Sequence, residues 1–80
     1  MALRIRLMRM GARNRPYYRV VVAESSSPRS GKFVEVVGTY DPTTDPARVS
    51  FRVDRIREWI AKGAKPTKTV DRLLKREGVL

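Results

Sequence analysis

The stretch V-S-F-R-V-D-R-I-R-E-W-I, residues Val49–Ile60, changes its hydrophobic period half-way along. Val49, Phe51 and Val53 alternate with Ser50 and Arg52, the period of two that marks a half-buried strand. From Asp54 onward the apolar residues are Ile56, Trp59 and Ile60, which fall on one stripe of a helix. Asp54 is the natural cap at the change-over, and Glu58–Lys62 forms an i,i+4 pair on the polar side. Gly63 then reads as the residue just past the helix end. Everything before this switch has the period of strands, and everything after it has the period of helices.

Upstream, Leu3, Ile5 and Leu7 alternate with Arg4 and Arg6, giving a strand that is apolar on one face and cationic on the other. The alternation breaks at Met8-Arg9-Met10, and Gly11–Pro16 reads as a basic loop. Tyr17–Ala23 is a second strand whose two faces are both apolar, which places it centrally in a sheet. Phe33–Tyr40 is a third strand, and Asp41-Pro42 starts a turn. Downstream, Pro66 blocks helix continuation and Thr67 caps a second helix. That helix buries Val70, Leu73 and Leu74 and carries an Asp71–Lys75 pair outside. The order β-β-β-β-α-α predicts an α+β domain over residues 1–80, with a small, mostly antiparallel sheet and helices packed on one face. The two helical stripes most simply cover Leu3, Ile5 and Leu7, leaving Arg4 and Arg6 on the opposite, open face.

The 80-residue chain holds 18 Lys+Arg against 8 Asp+Glu, a net charge of +10, and has neither His nor Cys. A Ser-His-Asp triad, a thiolate nucleophile, a disulfide framework and a Cys or His metal site are thereby excluded. The carboxylates Glu24, Glu35, Asp41, Asp45, Asp54, Glu58, Asp71 and Glu77 each have an ordinary reading as turn starter, cap or ion-pair partner. No paired-carboxylate spacing suggests a metal-dependent nuclease, so neither an enzyme, a cofactor nor a small-molecule substrate is expected. The start lacks the apolar core and cleavage site of a signal peptide, and no apolar run approaches the ~20 residues of a membrane span.

The charge is uneven. Arg4, Arg6, Arg9, Arg13 and Arg15 precede any acid, and the first acid is Glu24. Such a segment attracts a polyanion, and the planar guanidinium fork suits phosphate. Asn14 can offer its amide to a base edge or a sugar hydroxyl, and Gly11 admits a close backbone approach. Tyr17 and Tyr18 read as packing residues, since they open a strand that is apolar on both faces. The loop S-S-S-P-R-S-G-K, residues Ser25–Lys32, adds hydroxyls together with Arg29 and Lys32. It lacks the G-x-x-x-x-G-K-[ST] pattern of a phosphate-cradling loop, and a hairpin tip that orders on RNA fits it better. One rival is a helix-turn-helix DNA regulator, outlined by helix–G-A-K-P–helix, with Lys68 and Arg72 on its reading helix.

Four blocks together resemble the small-subunit ribosomal protein S-sixteen family of bacteria and organelles. They are L-R-I-R-L-M-R-M-G-A (Leu3–Ala12), N-R-P-Y-Y-R-V-V-V (Asn14–Val22), G-K-F-V-E-V-V-G-T-Y-D-P (Gly31–Pro42) and W-I-A-K-G-A-K-P-T-K-T-V (Trp59–Val70), in order and at similar spacing. The chain departs from the family's pattern at Met8, Ser30 and Lys68. The resemblance implies a cytoplasmic, ribosome-bound protein that binds small-subunit ribosomal RNA directly, adjoins other small-subunit proteins and promotes subunit assembly. It implies a compact α+β fold with a mixed sheet, and RNA contact at Arg4, Arg6, Arg9, Gly11, Arg13, Arg15 and Arg19.

Overall fold

The computed structural model describes residues 2–25, 33–44 and 46–80. Its elements run β1 (Leu3–Ala12), β2 (Arg15–Glu24), β3 (Glu35–Asp41), β4 (Arg48–Phe51), α1 (Val53–Ala61), β5 (Lys65–Pro66) and α2 (Lys68–Arg76). The five strands form one sheet in the order β4-β3-β2-β1-β5. Neighbouring strands are antiparallel except β1 and β5, which are parallel. The expected α+β architecture with a mixed, mostly antiparallel sheet is what the chain adopts.

The central place of β2 follows from its composition. Val20, Val21, Val22 and Ala23 are all inaccessible to solvent. Val20 and Val22 face the helices, in one cluster with Ile5, Val37, Ile56, Ala64, Val70 and Leu74. Leu3, Leu7, Trp59 and Ile60 pack around that cluster, so the helices cover the sheet face expected from the stripes. The opposite face is less open than the sequence suggests. Val21 and Ala23 lie there, directly across from Arg6 and Arg4, and are fully buried. An arginine has a long aliphatic stem that can lie on apolar surface while its head stays wet. Arg6 accordingly is half-buried, whereas Arg4 is exposed.

Several boundaries differ from the sequence reading. The β1 strand does not stop at Gly11; it pairs without interruption through Ala12, opposite Arg15, so the basic loop shrinks to Arg13-Asn14. Gly11 sustains this with a φ of 83°, a conformation that strains any residue bearing a Cβ. Phe33 and Val34 precede β3 and are exposed, although the Val34 amide still donates to the Val22 carbonyl at 2.7 Å. Helix α1 begins at Val53, and Arg52 rather than Asp54 holds the capping position. The Arg52 amide donates to the Val37 carbonyl and the Arg52 carbonyl accepts from the Ile56 amide, so this one residue ends the sheet pairing and starts the helix. Asp54 sits in the first turn instead, where a negative charge favours the helix dipole. Thr67 caps α2 as expected, its hydroxyl oxygen accepting from the Val70 amide.

At Gly38 the sheet depends on the absence of a side chain. A Cβ there would meet the Ser50 carbonyl oxygen at 2.5 Å, on the neighbouring strand β4. The β2–β3 register also shifts between Val20 and Val21, a bulge that turns Val37 into the core.

An ion-pair network fixes α1 to the sheet. The Arg55 guanidinium donates to both Glu35 carboxylate oxygens, at 2.7 and 2.5 Å, and also to Glu58. The Arg55 hydrogen bond holds the Glu35 carboxyl below its ordinary value against the opposing effect of desolvation, with a smaller contribution from the Arg55 charge. A depressed carboxyl contributes stability fully above the unfolded value and loses it as pH falls through the folded one. Glu35→Gln is therefore expected to melt below the parent at neutral pH, by a few degrees or less because the pair is partly solvated. The two melting curves should begin to approach each other as the pH falls below the ordinary glutamate value of 4.5 and meet only below the depressed folded value. Thermal melts across a pH series check this.

Candidate nucleic-acid interface

The β1–β2 hairpin is the longest feature of the fold. Its strands have 10 residues each, which at ~3.3 Å per residue makes about 33 Å, close to the 35 Å long axis of the molecule. Helical cover reaches along β1 only as far as Leu7. Beyond it, Arg9, Gly11, Arg13 and Asn14 are exposed. Arg9 donates to the Arg13 carbonyl at 3.1 Å, which closes the tip. Arg15 opens β2 opposite Ala12, and Arg19 is half-buried opposite Met8.

The unbroken pairing of β1 has a consequence for the arginines. Alternate residues of a strand point to opposite faces. Arg4 and Arg6 therefore lie on the face away from the helices, together with Arg19 on β2, whereas Arg9 lies on the other face, past the helical cover. The cationic residues do not form one flat stripe, as a break in the alternation at Met8 would have allowed. They surround the projecting hairpin on both sides. Arg29 and Lys32, expected on a neighbouring loop, lie outside the described residues.

The tyrosines bear out the packing reading. Tyr18 is opposite Tyr40 across β2 and β3, with ring centroids 6.0 Å apart and planes at 29°. Tyr17 is half-buried.

A groove of about 490 Å³ opens beside β1. It is lined by Arg4, Arg6, Leu7, Tyr18, Ser25, Thr67 and Thr69, with no carboxylate among these described residues. The sequence reading missed the last two because it missed β5. Two residues are too few for periodicity to register, and K-P looked like a connection between helices. The one available signal is that a proline within a sheet belongs at an edge, which is where Pro66 lies. The strand also removes the outline of a helix-turn-helix. The segment between the helices is tied into the sheet, with the Thr67 amide donating to the Ile5 carbonyl at 3.0 Å.

A second cavity, of about 620 Å³, lies between the 41–48 turn and the end of α2. Its cations Arg48 and Arg76 are matched by Asp41 and Glu77, and Arg76 is paired with Glu77 at 3.2 Å. That balance gives it no preference for a polyanion. Other carboxylates are also occupied. Asp71 pairs with Lys75 at 3.0 Å, Glu58 approaches Lys62 at 4.0 Å, and Asp41 accepts from the Thr43 amide at 2.9 Å. The described residues hold no cluster of three or more metal-ligating side chains, and no helix among them is long and apolar enough to cross a membrane.

The sequence profile of the family described as "Ribosomal protein S16" matches residues 9–67 of the chain, most of its length. The chain belongs to the ribosomal protein S16 family. It is 51% identical over 78 residues to the "Small ribosomal subunit protein bS16" of Desulfatibacillum aliphaticivorans, covering 98% of this chain and 90% of the relative. It is 49% identical over 80 residues to the protein of the same name from Lachnoclostridium phytofermentans, covering 100% of this chain and 99% of the relative. The matched S16 segment runs from Arg9 to Thr67, and so spans the hairpin tip and the return of the chain to β1 through β5.

Proposed function

We propose that the protein is a structural constituent of the small ribosomal subunit that binds ribosomal RNA directly and promotes subunit assembly, bound to cytoplasmic ribosomes beside other small-subunit proteins. The observation that carries this reading is the hairpin, free of acids from Leu3 to Ala23, with Arg4, Arg6 and Arg19 on one face, Arg9 on the other, and Arg13 and Asn14 at its tip. An arm cationic on both sides neutralises phosphates of two RNA segments at once, whereas a one-sided stripe serves a single segment. Assembly is promoted because juxtaposed RNA strands repel, and guanidinium groups between them remove that repulsion and release counterions. Recognition is through backbone shape rather than base sequence, with Arg15, Gly11 and, from the neighbouring loop, Arg29 and Lys32 in the same interface. Membership of a family whose curated relatives carry the name of a small-subunit protein supports the same reading.

The test compares filter binding to full-length small-subunit ribosomal RNA and to duplex DNA of equal length. Preference for the RNA, with affinity falling steeply as salt rises, is the expected result. Equal or stronger binding to one DNA sequence would restore the regulator reading.

A further inference from the structure

The groove beside β1 brings together two parts of the chain that are about sixty residues apart. In the parallel pairing of β1 with β5, Arg4 stands opposite Lys65, and both are exposed. Like charges facing each other across two strands destabilise a sheet. Among the described residues, nothing acidic lines the adjoining groove to offset that cost. What lines it, beside Arg4 and Arg6, are the side chains of Thr67 and Thr69. Thr67 uses its oxygen as an acceptor for the Val70 amide, which leaves its O–H to donate outward. Thr69 is exposed. Two guanidinium groups and two hydroxyl donors around one cavity, with Lys65 beside Arg4 on the neighbouring strand, form a set of donors for anionic oxygens.

We infer that this groove is a further RNA-backbone site, in which a phosphodiester group bridges Arg4 and Arg6 on β1 to Thr67 and Thr69 at the start of α2, beside Lys65 on β5. The inference rests on the RNA-binding reading above and adds residues that the basic hairpin does not contain. A phosphate held there neutralises the Arg4–Lys65 repulsion and joins the first strand to the last helix. RNA thereby reinforces the β1–β5 junction, the shortest pairing in the sheet. The groove shares Arg4 and Arg6 with the hairpin and extends the contact to β5 and α2.

The decisive variant is Lys65→Glu, because the two consequences have opposite signs. Reversing the charge turns the repulsion with Arg4 into attraction, so the free protein should melt at or above the temperature of the parent. The same change places a negative charge beside the proposed phosphate. Affinity for full-length small-subunit ribosomal RNA should fall about tenfold, with the salt slope reduced by about one. Thr69→Val, which keeps the fold-determining Thr67 cap, should weaken binding with little change in melting. Hydrogen exchange of the parent should show Thr67–Val70 amides slowed by RNA. Undiminished affinity and slope in both variants, or exchange in Thr67–Val70 untouched by RNA, overturns the groove site. If Arg9→Ala/Arg13→Ala weakens binding in that same experiment, the hairpin reading survives the failure. A parent that does not bind the RNA at all overturns both.

Discussion

Alanine at Arg4, Arg6 and Arg9 together is expected to lower affinity for small-subunit ribosomal RNA roughly a hundredfold near 0.1 M salt. The figure follows from about 1 kcal/mol net for each guanidinium–phosphate contact and 1.4 kcal/mol for each factor of ten. The salt slope should also flatten, by about 0.9 for each phosphate released on a duplex segment. The slope is the more telling readout, since it counts lost charges whatever the absolute affinity. The three residues are not equivalent. Arg4 and Arg6 lie on the face away from the helices, and Arg9 lies on the other. If the hairpin sits between two RNA segments, Arg9→Ala and the Arg4→Ala/Arg6→Ala pair should each weaken binding and their effects should add. If one face alone meets RNA, one of these variants should bind like the parent. Arg6 also stands across from the buried Val21, so a melting curve must accompany each variant. Lysine at the same positions separates charge from geometry. It should restore most of the slope but only part of the affinity, because an ammonium lacks the planar fork that sets two parallel donors on one phosphate. A folded triple-alanine variant with unchanged affinity and slope would end the RNA-binding reading.

What the sequence reveals and what it hides divide along one physical line. Features set by local pattern were legible. The alternation of Leu3, Ile5 and Leu7 identifies the buried face of β1, the doubly apolar run at Val20–Ala23 identifies the central strand, and Thr67 identifies the start of α2. Features decided by a distant partner were not. Gly11 and Pro16 carry the local signature of a loop, yet they pair with each other because the strands on both sides bring them into register. Lys65-Pro66 is a strand only because Ile5 offers its backbone beside it. Asp54 is the better cap by composition, but Arg52 is already held by Val37 on β3, and the helix starts from the residue the sheet has fixed. The candidate site follows the same rule. Its arginines could be read from charge alone, whereas their division between two faces, and the approach of Thr67 and Thr69 to Arg4 and Arg6, depend on pairings with no local trace.

Ile5→Ala is expected to bring the largest loss of stability of any change considered, and it tests whether RNA completes the fold. Ile5 is fully inaccessible, packs in the cluster of Val20, Val22, Ile56, Val70 and Leu74, and supplies the carbonyl that receives the Thr67 amide. Removing a buried isoleucine down to alanine costs about 2–5 kcal/mol. At roughly 0.05–0.15 kcal/mol per residue, a domain of this size has only about 4–12 kcal/mol in all. The melting temperature should therefore fall by at least about 8 °C, since 1 kcal/mol moves a domain this small by about 4–8 °C. The only tryptophan, Trp59, packs against the same cluster and reports the transition by its fluorescence. A ligand that binds only the folded state adds about 2.7 kcal/mol when present at a hundred times its Kd. Small-subunit ribosomal RNA at that concentration should thus return much of the lost stability to Ile5→Ala. It should return far less to a protein that combines Ile5→Ala with the triple arginine replacement. Equal rescue of the two would mean that the RNA acts through contacts other than Arg4, Arg6 and Arg9. A midpoint that does not move when RNA is added to Ile5→Ala would mean that RNA has no preference for the folded chain, and the thin stability of 80 residues would then need a different partner.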